Sequence, residues 1–225
     1  MDFIFMLTRG DQTIPDCLQV VDRVANLGIR HIGFKDVGVD TSVLRELNAC
    51  IRGSGAVSYL EVVSTSRERA LESAEFAVEI GVDRLLGGTW IEDTLDRTSG
   101  SAVEYFPFVG RPEGHPTRLG GSPESVAADV ARAAELGCGG VDLLAYRAYE
   151  ADPLDLVRAA RQAFSGQLVV AGNVATTSQI VALWNAGVDA FTIGSAAFAG
   201  ALDERSGTLE AQLRPVIDVL QQLAA

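Results

Sequence analysis

The sequence predicts a single (β/α)8 TIM barrel with eight parallel strands, forming one domain over residues 1–225. Short apolar runs alternate strictly with longer segments of helical periodicity, which is typical of a parallel sheet with helical crossovers. Eight such units are enough for the sheet to close into a barrel. A junction in which a helix ends at glycine and an apolar strand follows recurs along the chain. It occurs at Leu27-Gly28, Ile80-Gly81, Leu136-Gly137 and Ala186-Gly187.

Each strand is predicted from an apolar run bounded by Gly, Pro or polar residues. The predicted strands cover residues 2–7, 29–37, 56–63, 82–86, 104–109, 140–145, 167–171 and 188–193. The predicted helices cover residues 15–27, 41–51, 67–80, 91–97, 122–136, 152–164, 177–185 and 209–223. Segments 8–13 and 110–121 are predicted as loops. An open doubly wound sheet is less favoured, because no Gly-x-Gly-x-x-Gly pattern follows the first strand.

Charge and cysteine usage exclude several classes of protein. The net charge of −12 argues against nucleic acid or an anionic membrane as a partner. Three widely spaced cysteines without a Cys-x-x-Cys pair indicate reduced thiols and a cytoplasmic protein. The amino terminus lacks the pattern of a signal peptide, and no apolar run is long enough to span a membrane. No His/Cys pattern has metal-ligand spacing, so we predict neither a metal nor a cofactor.

Glycine-containing turns follow the seventh and eighth predicted strands. A strand that turns directly into a helix start leaves backbone N–H groups pointing outward, and these groups bind anions. The loops after strands 7 and 8 of a (β/α)8 barrel are a frequent phosphate site. We therefore expect Gly172, Asn173, Gly194 and Ser195 to hold a substrate phosphate. The alternative is that these glycines only turn the chain.

The last third of the chain resembles the ribulose-phosphate-binding barrels, which include decarboxylases of orotidine monophosphate and ketogulonate phosphate and barrels of the histidine and tryptophan pathways. The resemblance lies in Ala171-Gly172-Asn173-Val174, Thr176-Thr177-Ser178 and Ile193-Gly194-Ser195-Ala196. It implies a small phosphorylated substrate held by both turns, and a homodimer, since such barrels often pair. The Asp-x-Lys-x-x-Asp array of the orotidine-type enzymes is not carried over, because the third strand reads Leu60-Glu61-Val62-Val63.

Lys35 is the only lysine among 18 basic residues, and it lies near the carboxyl end of the second predicted strand. Active residues of this fold lie at the carboxyl ends of strands. Lysine, unlike arginine, can act as an amine nucleophile or as a proton donor of tunable pKa. Glu61 lies at the same height on the neighbouring strand, so we expect contact and an acid–base pair. A static ion pair of Lys35 with Glu61 or Asp36 is the alternative.

Four further residues are candidates for contacts with the substrate. His115, in the long loop, is predicted as a third catalytic group, although a solvated loop residue is an equal alternative. Arg9, Thr89 and Arg147 lie at other strand ends and are predicted to contact the substrate.

Three other polar features receive no catalytic role. His31 lies early in the second strand and is expected to pack in the barrel floor, and Asp142 is expected to be structural. The tripeptide Arg9-Gly10-Asp11 is treated as a coincidence.

These observations favour an enzyme that acts on a small phosphorylated sugar-like or keto-acid metabolite. A lyase reaction, aldol cleavage or decarboxylation, would pass through an enolate or a Schiff base at Lys35. A non-catalytic protein that binds a phosphorylated metabolite is the first alternative. A sugar-phosphate isomerase is the second, and the lack of an acid at the end of strand one counts against it.

Overall fold

Eight parallel strands alternate with helices in a computed structural model that describes residues 1–114 and 116–225. The barrel strands are β1 (Asp2–Met6), β2 (His31–Lys35), β3 (Val57–Val62), β4 (Arg84–Gly87), β5 (Glu104–Phe106), β6 (Gly140–Leu143), β7 (Gln167–Val170) and β8 (Ala190–Ile193). The helices are α1 (Cys17–Val24), α2 (Thr41–Gly53), α3 (Arg67–Ile80), α4 (Ile91–Thr98), α5 (Pro123–Glu135), α6 (Pro153–Ala163), α7 (Thr177–Asn185), α8 (Ser195–Phe198) and α9 (Leu209–Ala224). The predicted fold class is confirmed.

The strands follow the order β6-β7-β8-β1-β2-β3-β4-β5, and backbone contacts between β5 and β6 close the ring. The Asp142 N–H donates to the Pro107 carbonyl at 2.9 Å, and the Val109 N–H donates to the Asp142 carbonyl at 3.2 Å. The fifth strand ends at Phe106, three residues before its predicted end. Pro107 has no N–H to continue the ladder, although its carbonyl still helps to close the barrel.

Side-chain alternation separates a barrel interior from an outer core beneath the helices. The interior contains Ile4, Met6, Tyr59, Leu86, Phe106, Val169 and Ala190. Phe34 and Leu60 face outward into the larger cluster with the helices. Because Lys35 and Glu61 directly follow Phe34 and Leu60, their side chains face the interior at its open, carboxyl end.

Both segments that the sequence predicts as loops contain short antiparallel hairpins. Thr8–Arg9 pairs with Gln12–Thr13, and Arg111–Glu113 pairs with Arg118–Gly120. In the first hairpin, hereafter the β1 hairpin, Gly10 and Asp11 form the turn with φ angles of 57° and 60°. Two consecutive positive φ values are the signature of a type I′ turn. Strands of two or three mostly polar residues carry no apolar pattern, which is why the prediction missed them.

The glycines of the recurrent junction end their helices as predicted. Their φ angles all lie in the left-handed region: Gly28 at 70°, Gly81 at 69°, Gly137 at 79° and Gly187 at 77°. Among the described residues, none of the helices combines the length and apolarity that a membrane span needs.

Replacing Gly140 by alanine is expected to lower the free energy of unfolding by about 1–3 kcal/mol. The added Cβ would overlap Cε1 of Phe106 and lie 2.5 Å from the Gln167 carbonyl oxygen, beside the contacts that close the barrel. Gly53→Ala is the matched control, since its Cβ would meet nothing within 4 Å. Urea unfolding followed by circular dichroism measures both variants, and an equal loss in the two would contradict this account of the closure.

Candidate active site

Lys35 and Glu61 meet at the barrel mouth as the sequence predicts. They are register partners on β2 and β3, and the Lys35 Nζ lies 3.0 Å from Glu61 Oε1. Both residues are buried, with 4% and 5% exposure. Asp36 faces the opposite way, because its carboxylate accepts hydrogen bonds from the Val63 N–H and the Ser73 hydroxyl. The alternative pairing of Lys35 with Asp36 is therefore wrong.

The β1 hairpin brings a second carboxylate to Lys35. Asp11 Oδ1 accepts a hydrogen bond from the Lys35 Nζ at 2.9 Å, and Asp11 is only 5% exposed. Thr13 of the same hairpin fixes the Lys35 backbone, since its hydroxyl donates to the carbonyl and accepts from the N–H, each at 2.8 Å. Sequence alone predicts no role for Asp11. The signal available was a Gly-Asp pair, one of the residue pairs typical of a two-residue hairpin turn, shortly after a buried strand.

Arg147 completes a row of alternating charges. Its Nη1 and Nη2 donate to the two oxygens of Asp11 at 2.8 and 2.7 Å, a bidentate pair. Nη1 also donates to the Thr117 carbonyl at 3.2 Å. The aliphatic stem of Arg147 crosses Gly172, where an added Cβ would lie 2.7 Å from Arg147 Cγ. Arg147, Asp11, Lys35 and Glu61, hereafter the charge row, therefore link the ends of four strands.

The charge row keeps its lysine protonated. Burial alone would lower the pKa of Lys35, but the charges of Glu61 and Asp11 and their hydrogen bonds outweigh it and raise that pKa above its ordinary value. Burial alone would likewise raise the pKa of Asp11. Hydrogen bonding from Arg147 and the charge of Lys35 instead hold it far below the usual range. Asp11 is thus a fixed carboxylate beside a fixed ammonium, and it is unsuited to exchange protons near neutral pH.

Asp142 lies fully buried in the barrel beside this row. Its backbone closes the ring between β5 and β6, and both of its carboxyl oxygens lack a hydrogen-bond partner among the described residues. Burial raises the pKa of Asp142 well above the ordinary 3.8, and the charge of Glu61 raises it further. The cations Lys35 and Arg147 act in the opposite sense without cancelling the rise. The structure therefore gives Asp142 an electrostatic place beside the site, beyond the structural role expected from sequence.

A cavity of about 410 Å³ joins the charge row to the two predicted phosphate turns. Its wall contains all four charged residues and also Gly172, Asn173, Gly194 and Ser195. The N–H groups of Gly172, Asn173 and Val174 have no acceptor among the described residues. The N–H groups of Ser195 and Ala196 lie in the first turn of α8, where helix geometry supplies none. The cavity thus offers backbone donors at one end and paired charges at the other.

The remaining candidates lie elsewhere or outside the described residues. Thr89 lines a separate depression of about 140 Å³, and Arg9 lines an outer cavity and places its guanidinium 5.6 Å from the Phe198 ring centroid. His115 lies outside the described residues. His31 packs in the floor as expected, with Nδ1 at 2.8 Å from the Tyr59 hydroxyl.

The carboxylates at the mouth do not form a metal site in the part of the chain that the structure describes, where no three His, Cys, Asp or Glu residues have suitable geometry. Asp11 and Glu61 instead share the ammonium of Lys35. The sequence-based expectation of no metal stays a prediction.

Comparison with known proteins identifies the fold but no family. No protein-family model and no curated protein matches the chain. Three solved structures illustrate the likeness. Geranylgeranylglyceryl phosphate synthase from Thermoplasma acidophilum, in complex with its substrate sn-glycerol-1-phosphate, is 15% identical with a TM-score of 0.64, covering 98% of this chain and 93% of that one. Mandelate oxidase with (S)-2-phenylpropionate is 14% identical with a TM-score of 0.65, covering 100% and 72%.

The third structure is FabK from Thermotoga maritima, which is 14% identical with a TM-score of 0.62, covering 87% of this chain and 58% of that one. The neighbours thus include barrel enzymes of different kinds, one of them solved with a phosphorylated substrate. In all, 831 solved chains match, so the likeness shows the fold and does not select a reaction.

Replacing Asp142 by asparagine is expected to stabilise the protein increasingly as pH rises from about 4 to about 8. The folded state holds the Asp142 proton more tightly than the unfolded state, because its pKa is raised on folding. Its contribution to stability is therefore complete below the ordinary pKa and is lost as pH rises toward the folded pKa. Asparagine has no such titration. Thermal unfolding across this pH range measures the difference.

Asp96→Asn, at an exposed position of α4, controls for the loss of one acidic group. A wild-type protein that gained stability relative to Asp142→Asn as the pH rose would refute the raised pKa of Asp142.

Proposed function

We propose that this protein is an enzyme of the lyase type that cleaves or decarboxylates a small phosphorylated metabolite through an enolate. One observation carries the proposal. The single lysine of the chain is held as an ammonium between two carboxylates, in a cavity whose other end consists of backbone N–H donors. A cation fixed beside a developing oxyanion stabilises the transition state without reorganisation.

The turns after β7 and β8 would hold the phosphate. Their unpartnered N–H groups supply donors to phosphate oxygens, and this place in the fold is a frequent phosphate site. The matched synthase from Thermoplasma acidophilum, solved with a glycerol phosphate, supports a substrate of this class. Gly172, Asn173, Gly194 and Ser195 keep the role predicted from sequence, as part of this proposal.

Lys35 and Glu61 would perform the chemistry. Lys35 Nζ has three protons and donates two of them, to Asp11 and Glu61, within the described part of the chain, so the third is left for a substrate oxygen. Glu61 accepts through Oε1, which leaves Oε2 as a base. In an aldol cleavage, Glu61 takes the proton of the hydroxyl group on the carbon β to the substrate carbonyl, and this carbon leaves as a new carbonyl compound. The carbon–carbon bond breaks, its electron pair forms the enolate, and Lys35 stabilises the enolate oxygen. Return of the proton to the enolate carbon completes the reaction.

The geometry favours this non-covalent route over a Schiff base. A lysine attacks a carbonyl only as a neutral amine. Contact with Asp11 at 2.9 Å and Glu61 at 3.0 Å stabilises the charged form instead. The raised pKa of Lys35 agrees with this geometry.

The isomerase alternative gains an acid after strand one, because the β1 hairpin carries Asp11 to the barrel mouth. The strand end itself offers no acid, which was the objection raised from sequence. However, the two cationic partners of Asp11 hold its pKa far below the usual range, so it cannot exchange protons as an isomerase acid would. The lyase hypothesis therefore keeps precedence.

Borohydride treatment during turnover of a substrate is expected to leave the mass of the protein unchanged, because no imine forms between Lys35 and the substrate. Lys35 is the only lysine of this chain, so the amino terminus is the only other amine able to form an imine. Intact-mass spectrometry and peptide mapping provide the measurement. A reduced adduct on Lys35 would replace the non-covalent route by the covalent one.

Replacing Ser195 by aspartate is expected to abolish binding of inorganic phosphate and of glycerol phosphate, because it adds a negative charge at the proposed phosphate turn. Ser178→Asp, at the start of α7 and outside the cavity lining, is the matched control. Lys35→Met should retain phosphate binding and lose turnover. Calorimetric titration and an activity assay measure the two properties. Phosphate binding by both the wild-type protein and Lys35→Met, with turnover in neither, would instead support the non-catalytic binding protein.

A further inference from the structure

The contacts of Asp11 are those that a bound carboxylate ligand would make. Its two oxygens lie 2.7 and 2.8 Å from the terminal nitrogens of Arg147, and one of them also lies 2.9 Å from the Lys35 Nζ. Bidentate binding by arginine together with a lysine contact is a strong arrangement for recognition of a carboxylate. Here the chain itself fills that position.

We propose that Asp11 occupies the place of a substrate carboxylate and so restricts the site to phosphate esters whose reacting end is uncharged. This inference rests on the proposed function, because it assumes that the phosphate binds at the turns after β7 and β8. It makes Asp11 a specificity-determining residue.

The charge balance of the cavity supports this selection. The cations of its wall within the described residues are Lys35 and Arg147, and the anions are Asp11 and Glu61. Each cation already contacts a carboxylate at 3.0 Å or less. A ligand carboxylate would therefore lie near Glu61, and no unpaired cation would be left in the cavity wall to bind it. Like charges that no cation compensates are unfavourable in a buried site. The phosphate escapes this conflict, because backbone N–H groups hold it at the other end.

The β1 hairpin fixes the Asp11 carboxylate in this position, so an incoming ligand does not displace it. The side chain of Asp11 is only 4% exposed, and its turn is tied to the second phosphate turn by the Gly10 N–H, 3.3 Å from the Ser195 hydroxyl. Thr13 anchors the hairpin to β2 through its paired hydrogen bonds with Lys35. Displacing the Asp11 carboxylate would leave Arg147 and Lys35 short of a buried partner, which is strongly unfavourable.

The free groups of the charge row define what the site accepts instead. Among the residues that the structure describes, one N–H of Lys35 and one oxygen of Glu61 have no partner. A donor beside an acceptor matches a carbonyl next to a hydroxyl, as in a hydroxyketone or hydroxyaldehyde. A decarboxylation needs a carboxylate on the substrate, so this inference leaves aldol cleavage as the reaction within the proposed class.

Two probes that differ only at the end remote from phosphate test the inference. Glycerol 3-phosphate ends in a neutral CH2OH group, where 3-phosphoglycerate carries a carboxylate. Calorimetric titration of the full chain is expected to show at least about tenfold tighter binding of glycerol 3-phosphate. In Asp11→Asn the affinity for 3-phosphoglycerate should rise, so that the ratio of the two affinities falls to near unity or inverts. Asparagine tolerates positive φ, so the turn geometry is kept.

Glu61→Gln provides a second variant that leaves the hairpin untouched, and it should weaken the preference in the same direction. Thermal unfolding confirms that each variant is folded. Tighter binding of 3-phosphoglycerate by the wild-type protein, or an unchanged ratio in both folded variants, would overturn the inference while leaving phosphate binding intact. Failure of both probes and of inorganic phosphate to bind would instead refute the proposed function, and this inference with it.

Discussion

One carboxylate, that of Asp11, holds the mouth of this barrel together. It binds the guanidinium of Arg147 through both oxygens and the ammonium of Lys35 through one. Removing it would leave two cations side by side in a buried cavity, where charges are weakly screened. Asp11 keeps Lys35 protonated and holds Arg147 over Gly172. Through Arg147, which also donates to the Thr117 carbonyl, it links the β1 hairpin to the hairpin of Arg111–Glu113 and Arg118–Gly120. The proposed chemistry at Lys35 and Glu61 depends on it as well.

The sequence predicted most of the barrel, because its elements follow local patterns. Helices α3 and α7 have the predicted bounds. A polar N-cap, Ser66 or Thr176, begins each helix, and a glycine with positive φ, Gly81 or Gly187, follows its end. The contact between Lys35 and Glu61 was also predictable, because parallel neighbours in register bring side chains of equal height together. At the fold level the prediction missed the two short hairpins, and it made β5 too long, because Pro107 ends the ladder within an otherwise apolar run.

The candidate site was predicted only in part, for a physical reason. Strand-end reasoning finds residues whose position follows from the strand, such as Lys35. It does not find Asp11, which lies four residues beyond the predicted end of strand one and is carried back over the mouth by a hairpin turn. The electrostatic role of Asp142 was equally unpredictable from sequence. Its raised pKa results from burial and from the charge of Glu61, and no local sequence pattern indicates either.

The position of Gly172 ties the two ends of the cavity to each other through side-chain packing. A glycine in a phosphate turn is ordinarily ascribed to the ligand, yet here the space of its missing side chain is taken by Arg147, whose Cγ and Nε would lie 2.7 and 2.8 Å from a Cβ at that position. A mutation to any larger residue at 172 would push Arg147 away from Asp11 and disturb Lys35 across the mouth. The turn after β7 and the charge row are therefore coupled mechanically through the stem of Arg147.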